Sequence, residues 1–160
     1  MKKIIAILIT AIALVGTPFA QHATSDLAIS SPKRLIKSNA LFNAERNFRQ
    51  SYPNVTGGQW NSKADGYIVK FQEKAIKYAV AYDKKGRWQH TILIYSEHQL
   101  PSQLRRALKS VYVDFTIVNV IEVTIGMRHT YFIKMEDSNT LRTVQVVNGE
   151  FVELDSYVKG

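Results

Sequence analysis

The chain has 160 residues, with 21 lysine and arginine residues against 13 aspartate and glutamate residues, a formal net charge of +8. It contains no cysteine, which excludes a disulfide framework and a zinc site with thiolate ligands. A chain of this length has the size of one domain and can bury a core that holds it folded without such crosslinks.

The first 20 residues have the order of a secretory signal peptide. Lys2 and Lys3 precede a short apolar run over 4–15, and small residues lead to a cleavage site at Ala20. The run is too short for a membrane span, and a lipid-anchored lipoprotein is excluded because no cysteine follows it. We expect cleavage near Ala20, a periplasmic or secreted bacterial protein, and a mature chain without a transmembrane segment. Residues 21–31, polar and small, are expected to form a flexible lead-in.

The mature chain keeps a basic excess. Removal of Lys2 and Lys3 leaves 19 basic against 13 acidic residues, a net charge of +6. An exported basic protein can meet acidic proteins, anionic glycans or lipid headgroups, although the charge can equally serve solubility alone. Nucleic acid is not expected as a partner, because the chain carries an export signal and no nucleic-acid-binding motif.

The first predicted helix starts at Ser31-Pro32, where serine can cap the helix and proline can occupy its first turn. Its apolar face consists of residues spaced three and four apart, namely Leu41, Ala44, Phe48 and Tyr52. Pro53 ends the helix, because the residue before a proline avoids the helical region. A short, irregular first strand over 55–61 follows.

Residues 67–88 and 131–151 share one plan of two strands, a glycine turn and the start of another strand. Apolar and polar residues alternate along the strands, which predicts one buried and one solvated face. Each turn glycine is followed two positions later by an aromatic residue: Trp88 after Gly86, and Phe151 after Gly149. The Asn148-Gly149 pair is the strongest short signal for a hairpin, since both positions need a positive φ. The repetition predicts that one unit occurs twice.

The second half opens at Leu100-Pro101 with a helix whose apolar stripe is Leu104, Leu108 and Val111. Four further strands are predicted over 117–125, 127–136, 141–147 and 150–155. The predicted fold class is α+β, a tandem repeat of a helix plus about four antiparallel strands. Hairpin connections predict an antiparallel sheet with both helices packed on one face.

A pattern of aromatic residues and turns runs from about Leu41 to the C-terminus. It consists of Phe48-x3-Tyr52-Pro53, Trp60, Tyr67-x-Val69-x-Phe71, Val80-Ala81-Tyr82-Asp83, Gly86-x-Trp88 and Leu100-Pro101. This pattern resembles the PepSY-like, β-lactamase-inhibitor-like family of exported bacterial proteins. The resemblance implies a tandem architecture on a curved antiparallel sheet, with repeats at 32–98 and 99–160. It also implies binding or inhibition of other proteins, such as peptidases and β-lactamases, and no catalytic residue.

The second half departs from this pattern. It lacks tryptophan, and Tyr112 is followed by Val113 where the first half has a Tyr-Pro step. A binding role tied to those residues is therefore expected in the first half.

Catalytic motifs are missing from the sequence. It has no HExxH, no GxSxG elbow, no phosphate loop and no dinucleotide fingerprint. Ser96-Glu97-His98 places the residue types of a catalytic triad in a row, but triads are assembled in space, so we interpret it as a turn. Glu97 and His98 have no visible third ligand for a metal. We therefore predict no enzyme, no cofactor and no metal site.

Large rings with basic neighbours concentrate in the first half. Tyrosine, tryptophan and arginine are enriched in binding hot spots, which makes five residues candidates for binding a partner: Trp60, Tyr67, Tyr78, Tyr82 and Trp88. The alternative for each ring is packing beneath the helices. The function predicted is an exported, non-catalytic and inhibitor-like binding module that engages a protein or peptide of the cell envelope through its sheet face. The alternative is a small-ligand carrier or enzyme with a cavity between helices and sheet, containing His90 or His129.

Overall fold

A computed structural model describes residues 39–160. The expected signal peptide at 1–20, the lead-in at 21–31 and the helix start at Ser31-Pro32 lie outside the described residues. The elements are α1 (Asn39–Ser51), β1 (Gln59–Lys63), β2 (Gly66–Glu73), β3 (Ile76–Asp83), β4 (Trp88–Tyr95), a short 3-10 helix (Glu97–Gln99), α2 (Ser102–Val111), β5 (Thr116–Ile125), β6 (Arg128–Glu136), β7 (Thr140–Val147) and β8 (Glu150–Val158). Neither α1 nor α2 is long and apolar enough to cross a membrane.

All eight strands form one antiparallel sheet in chain order. Short turns connect consecutive strands, except between β4 and β5, where the 3-10 helix and α2 intervene. The β7–β8 turn is the two-residue hairpin that the sequence predicts, since Asn148 and Gly149 have φ of 53° and 84°.

The predicted tandem repeat is wrong. Strands β4 and β5 pair directly, from Thr91 opposite Thr124 to Tyr95 opposite Val120, so the sheet runs through the middle of the chain without a boundary. Over residues 39–160 the fold is mostly one eight-stranded antiparallel sheet with two helices, of which α1 precedes all these strands. Direct pairing satisfies the backbone groups that an open edge on β4 would expose. The matching turns at Gly86 and Gly149 therefore reflect the local chemistry of hairpins within a single meander.

Each helix covers its own core cluster. Helix α1 buries Ala44 and Phe48 against strands β2 and β3, at Val69, Val80 and Tyr82. Helix α2 buries Leu108 against strands β4 to β7, whose buried residues there are Tyr95, Ile117, Val120, Ile133, Met135, Val144 and Val146. The spacing of four between Ala44 and Phe48 is that of one helical face, as the sequence predicts.

Both clusters lie on the same face of the sheet, which we call the covered face. Val80 pairs with Thr91, and Thr91 pairs with Thr124, so these three residues point to one side. Val120 follows on that side, because it lies an even number of residues from Thr124 along β5. The opposite face, which alternate residues of the same strands form, we call the open face.

The turn between β3 and β4 anchors α1. Asn47 on α1 donates its side-chain amide to the carbonyl oxygen of Gly86 at 2.7 Å. Gly86 has a φ of 79°, and a Cβ atom there would lie 2.5 Å from the carbonyl oxygen of Ala40. A side chain at this position would therefore strain the backbone and push the helix away.

Candidate functional site

A polar network lies on the covered face of strands β4 to β6. The Tyr95 hydroxyl donates to Glu122 Oε2 at 2.7 Å, and His129 Nδ1 lies 2.7 Å from Glu122 Oε1. Burial raises the pKa of Tyr95, and the hydrogen bond to Glu122 raises that pKa further. Both carboxylate oxygens of Glu122 are therefore occupied, which suits a structural role better than that of a free base.

The other sequence candidates for catalysis separate in space. His90 lies on the open face of β4, opposite Ala81 on β3. Ser96, Glu97 and His98 belong to the 3-10 helix and its start, where Ser96 bonds Gln99 at 2.8 Å and Glu97 pairs with Lys109 at 3.3 Å. Within residues 39–160, no group of three His, Cys, Asp or Glu side chains could hold a metal ion.

A groove of about 350 Å³ runs between the start of α2 and the β7–β8 turn. Leu104, Tyr131 and Phe151 contribute apolar surface, and no charged side chain among residues 39–160 lines it. Neither His90 nor His129 takes part in the lining. The groove therefore lacks the histidines that we expected in the ligand site of a carrier or enzyme.

The five rings predicted to bind a partner all lie on the covered face. Tyr67 and Tyr82 are paired across β2 and β3, and Tyr82 is 3% exposed. Trp60 contacts both the ring of Tyr82, at 5.8 Å between centroids, and the ring of Phe48 on α1, at 5.7 Å. These rings pack in and around the α1 cluster.

The remaining two rings are Tyr78, which is half-buried, and Trp88, which is the most exposed of the five. Tyr78 stacks on Phe71 with 4.6 Å between centroids, and burial raises its pKa. Trp88 is 38% exposed, and its indole N–H donates to the buried Thr91 hydroxyl at 2.9 Å. Partner binding by any of the five stays a prediction, while their placement gives each of them a packing role.

The open face is also apolar, and the sequence reasoning missed it. One row runs across strands β3 to β6, and each of its residues pairs with the next on the neighbouring strand: Lys77, Ile94, Ile121 and Phe132. A parallel row is Ala79, Ile92, Val123 and Thr130. Ile94 is 38% exposed, and its apolar neighbours in both rows are half-buried. Both described helices pack on the opposite face, so this apolar surface is not part of their cores.

A signal for this surface was present in the sequence. Residues 91–95 of β4 and 120–125 of β5 are nearly continuous apolar runs, which are typical of strands that are apolar on both faces. The alternation of β2, with Lys70 on its second face, had suggested instead that the second face of the sheet is polar.

Solved structures with a similar fold come from Bacteroides species. A DUF2874 family protein from Bacteroides ovatus matches with a TM-score of 0.56 and 20% identity, over 72% of this chain and 85% of that chain. A BLIP-like protein from Bacteroides fragilis matches with a TM-score of 0.56 and 17% identity, over 73% and 84%. A structure named "putative periplasmic proteins", from Bacteroides eggerthii, matches with a TM-score of 0.55 and 15% identity, over 72% and 86%. At these identities the likeness shows the fold alone.

No family model and no curated protein matches the chain. The BLIP-like structure shares the fold of this chain, so the β-lactamase-inhibitor-like part of the resemblance is supported at the level of fold. None of the names above supports its PepSY part, which stays a prediction.

Proposed function

We propose that the protein is an exported, non-catalytic module that binds a protein or peptide of the cell envelope through the open face of its sheet. One observation carries the proposal: two adjacent rows of apolar residues, centred on Ile94 and Ile121, lie on a face that neither described helix covers. Contiguous apolar surface of this kind is typical of interaction sites.

The covered face is a poorer candidate. Tyr82 is buried, and Trp60 is held between Tyr82 and Phe48, so these rings stabilise the fold by packing against α1. A partner could reach them only by displacing the helix. The open face needs no such rearrangement, because its side chains already stand outside the two cores.

The proposal also includes export from the cell and an inhibitor-like role. The charged, apolar and small-residue order of the first 20 residues supports export with cleavage near Ala20, to the periplasm or the medium. One similar structure carries a periplasmic name and another a BLIP-like name. An inhibitor-like role is consistent with those names, and so is binding without inhibition.

The test compares two substitutions of exposed aliphatic residues. Ile94→Asp places a charge in the centre of the open face, whereas Val111→Asp places one on α2, where Val111 is 59% exposed. Proteins retained from an envelope fraction by the wild type should be lost with Ile94→Asp and kept with Val111→Asp. Losing a hot-spot contact costs about 2 kcal/mol or more, roughly a thirtyfold weaker complex.

Urea unfolding of both variants is the control for folding. Equal retention by the wild type and a folded Ile94→Asp variant would contradict the proposed surface. Loss with Val111→Asp alone would move the site to α2 and its groove.

A further inference from the structure

We infer that the open face takes an acidic, amphipathic segment of a partner protein, with its apolar side against Ile94 and Ile121 and carboxylates on both flanks. The inference rests on the proposed function, since it assumes that the open face binds a protein. It adds the chemistry of the partner.

Lysines flank the apolar rows on both sides. Lys77 is the first residue of the row that continues through Ile94 and Ile121. Lys70 lies opposite Ala79 on the neighbouring strand β2, diagonally from Lys77. On the far side, Lys134 follows Phe132 by two residues along β6 and so points to the same face. All three lysines are exposed.

These lysines have no ion pair in the described part of the chain, whereas two carboxylates of the same face, at the ends of β3 and β6, do. Asp83 at the end of β3 pairs with Arg87 at 2.7 Å. Glu136 at the end of β6 pairs with Lys159 at 2.9 Å. The carboxylates of this face without such a pair lie at its margins, at Asp65 in the β1–β2 turn and at Glu150 and Asp155 on the last strand. The flanks of the apolar rows therefore carry uncompensated positive charge.

The spacing of the lysines defines the width of the occupant. Lys77 on β3 and Lys134 on β6 are separated by three strand spacings, about 14 Å. A helix with its side chains is about 10–12 Å across, and an extended chain is narrower. One amphipathic segment therefore fits between the two lysines, with its apolar residues on the central rows and a carboxylate within reach of each ammonium.

Charge at the rim of an apolar surface acts mainly on the rate of association and on the choice of partner. Complementary fields raise association rates by about 10- to 1,000-fold at low salt, and the gain is lost as the Debye length falls to about 3 Å at 1 M. An acidic segment should therefore bind with a strong dependence on ionic strength, and a basic one should be rejected.

The experiment uses fluorescence anisotropy with two labelled amphipathic 18-residue helical peptides. Both carry leucine at positions spaced three and four apart; one has glutamate and the other lysine at the flanking positions. The exported protein should bind the glutamate peptide at least tenfold more tightly than the lysine peptide at 50 mM salt, and this preference should shrink at 1 M. Anionic phosphatidylglycerol vesicles and sedimentation of the protein alone test a membrane and a second copy as occupants.

The matched variants reverse three charges on each face. Lys70→Glu, Lys77→Glu and Lys134→Glu together should weaken binding of the glutamate peptide at least tenfold. Reversal of three exposed basic residues of the helices, at Arg46, Arg49 and Arg106, should leave it within twofold. An unchanged affinity for the first triple variant would overturn the inference.

The two levels of the proposal fail separately. Suppose that the triple lysine variant binds the glutamate peptide and retains envelope proteins, while Ile94→Asp loses both. The open face then binds partners without selecting acidic ones. If Ile94→Asp also binds the peptide and retains envelope proteins as the wild type does, the proposed function itself is wrong. Binding to the vesicles without binding to the peptide, or dimerisation that Ile94→Asp abolishes, would replace the acidic segment as the occupant.

Discussion

The two faces of the sheet differ in what covers them rather than in how apolar they are. Ile133 and Phe132 are neighbours on β6 and point to opposite sides. Ile133 is fully buried between Val120 and Val144 beneath α2, while Phe132 is half-buried between Ile121 and Gln145 on the open face. The comparison teaches that apolar strand positions in this fold form a core on one face and, on the other, an uncovered surface that we propose for association.

The aromatic residues sharpen this difference. The rings of the first half, which are usually associated with binding, contact each other on the covered face, as Phe48, Trp60 and Tyr82 do. The centre of the open face is instead built from isoleucine and valine, with Phe132 as its aromatic residue and lysines at its rim. Residue type alone therefore points to the covered face, whereas the open face is the one that we propose for binding.

The largest expected effect comes from truncating the same residue type on each face. Ile133→Ala should reduce the free energy of unfolding by about 2–5 kcal/mol, because it leaves a cavity in the core beneath α2. Ile94→Ala should cost about 1 kcal/mol or less, since its side chain is already partly solvated. Urea unfolding measures both; equal losses would mean that the open face is as much a core as the covered one.

The second comparison concerns the two hairpin glycines. Gly86→Ala should cost about 2–3 kcal/mol, because alanine would adopt a strained backbone and its Cβ would meet the backbone of α1. Gly149 has a similar positive φ, but a Cβ atom there would meet open space. Gly149→Ala should therefore reduce the free energy of unfolding by about 1 kcal/mol. Thermal unfolding of both variants checks this, and a smaller loss at Gly86 would argue against close packing of α1 on the β3–β4 turn.

A smaller effect is expected in the polar network of the covered face. Tyr95→Phe removes the donor to Glu122 while keeping the ring in place, and hydrogen bonds to charged groups contribute about 1.5–3 kcal/mol. The loss should lie near the low end, because His129 still contacts the other oxygen of Glu122. In the Glu122→Gln background the same substitution should cost less, and full additivity would show that the two residues are not coupled.

The smallest effect is a pH dependence from the open face. Burial lowers the pKa of His90, and Asp65 opposes this only in part. The unfolded chain therefore binds a proton more readily than the folded protein, so acidification below about pH 6.5 should reduce stability until His90 is protonated in both states. His90→Gln should flatten the decline in free energy of unfolding between pH 7 and pH 5. An unchanged slope would show that His90 is solvated in the folded protein.

Local features were predictable from the sequence because they depend on neighbouring residues. The Asn148-Gly149 hairpin follows from backbone preferences, and the buried pair Ala44 and Phe48 follows from helical spacing. Pairing of β4 with β5 was not predictable in this way. The two strands are separated by α2, so their register depends on contacts that are remote along the chain.

The surface that we propose for binding was not predictable for a related reason. Alternation shows that a strand has two faces, but only the positions of α1 and α2 decide which face is covered. Trp60 and its neighbours are predicted to bind because of their residue type, and the alternation along the strands predicts that the second face is solvated. The apolar runs of β4 and β5 were the sign that both faces are apolar.

Site-specific photo-crosslinking tests the central claim most directly. A benzophenone amino acid in place of Phe132 reports contacts of the open face, and the same group in place of Arg106 reports contacts of exposed α2. In the native envelope fraction, irradiation should yield a discrete protein adduct from position 132 and none from position 106. An adduct from position 106 with none from position 132 would contradict the assignment of the open face as the surface that binds a partner.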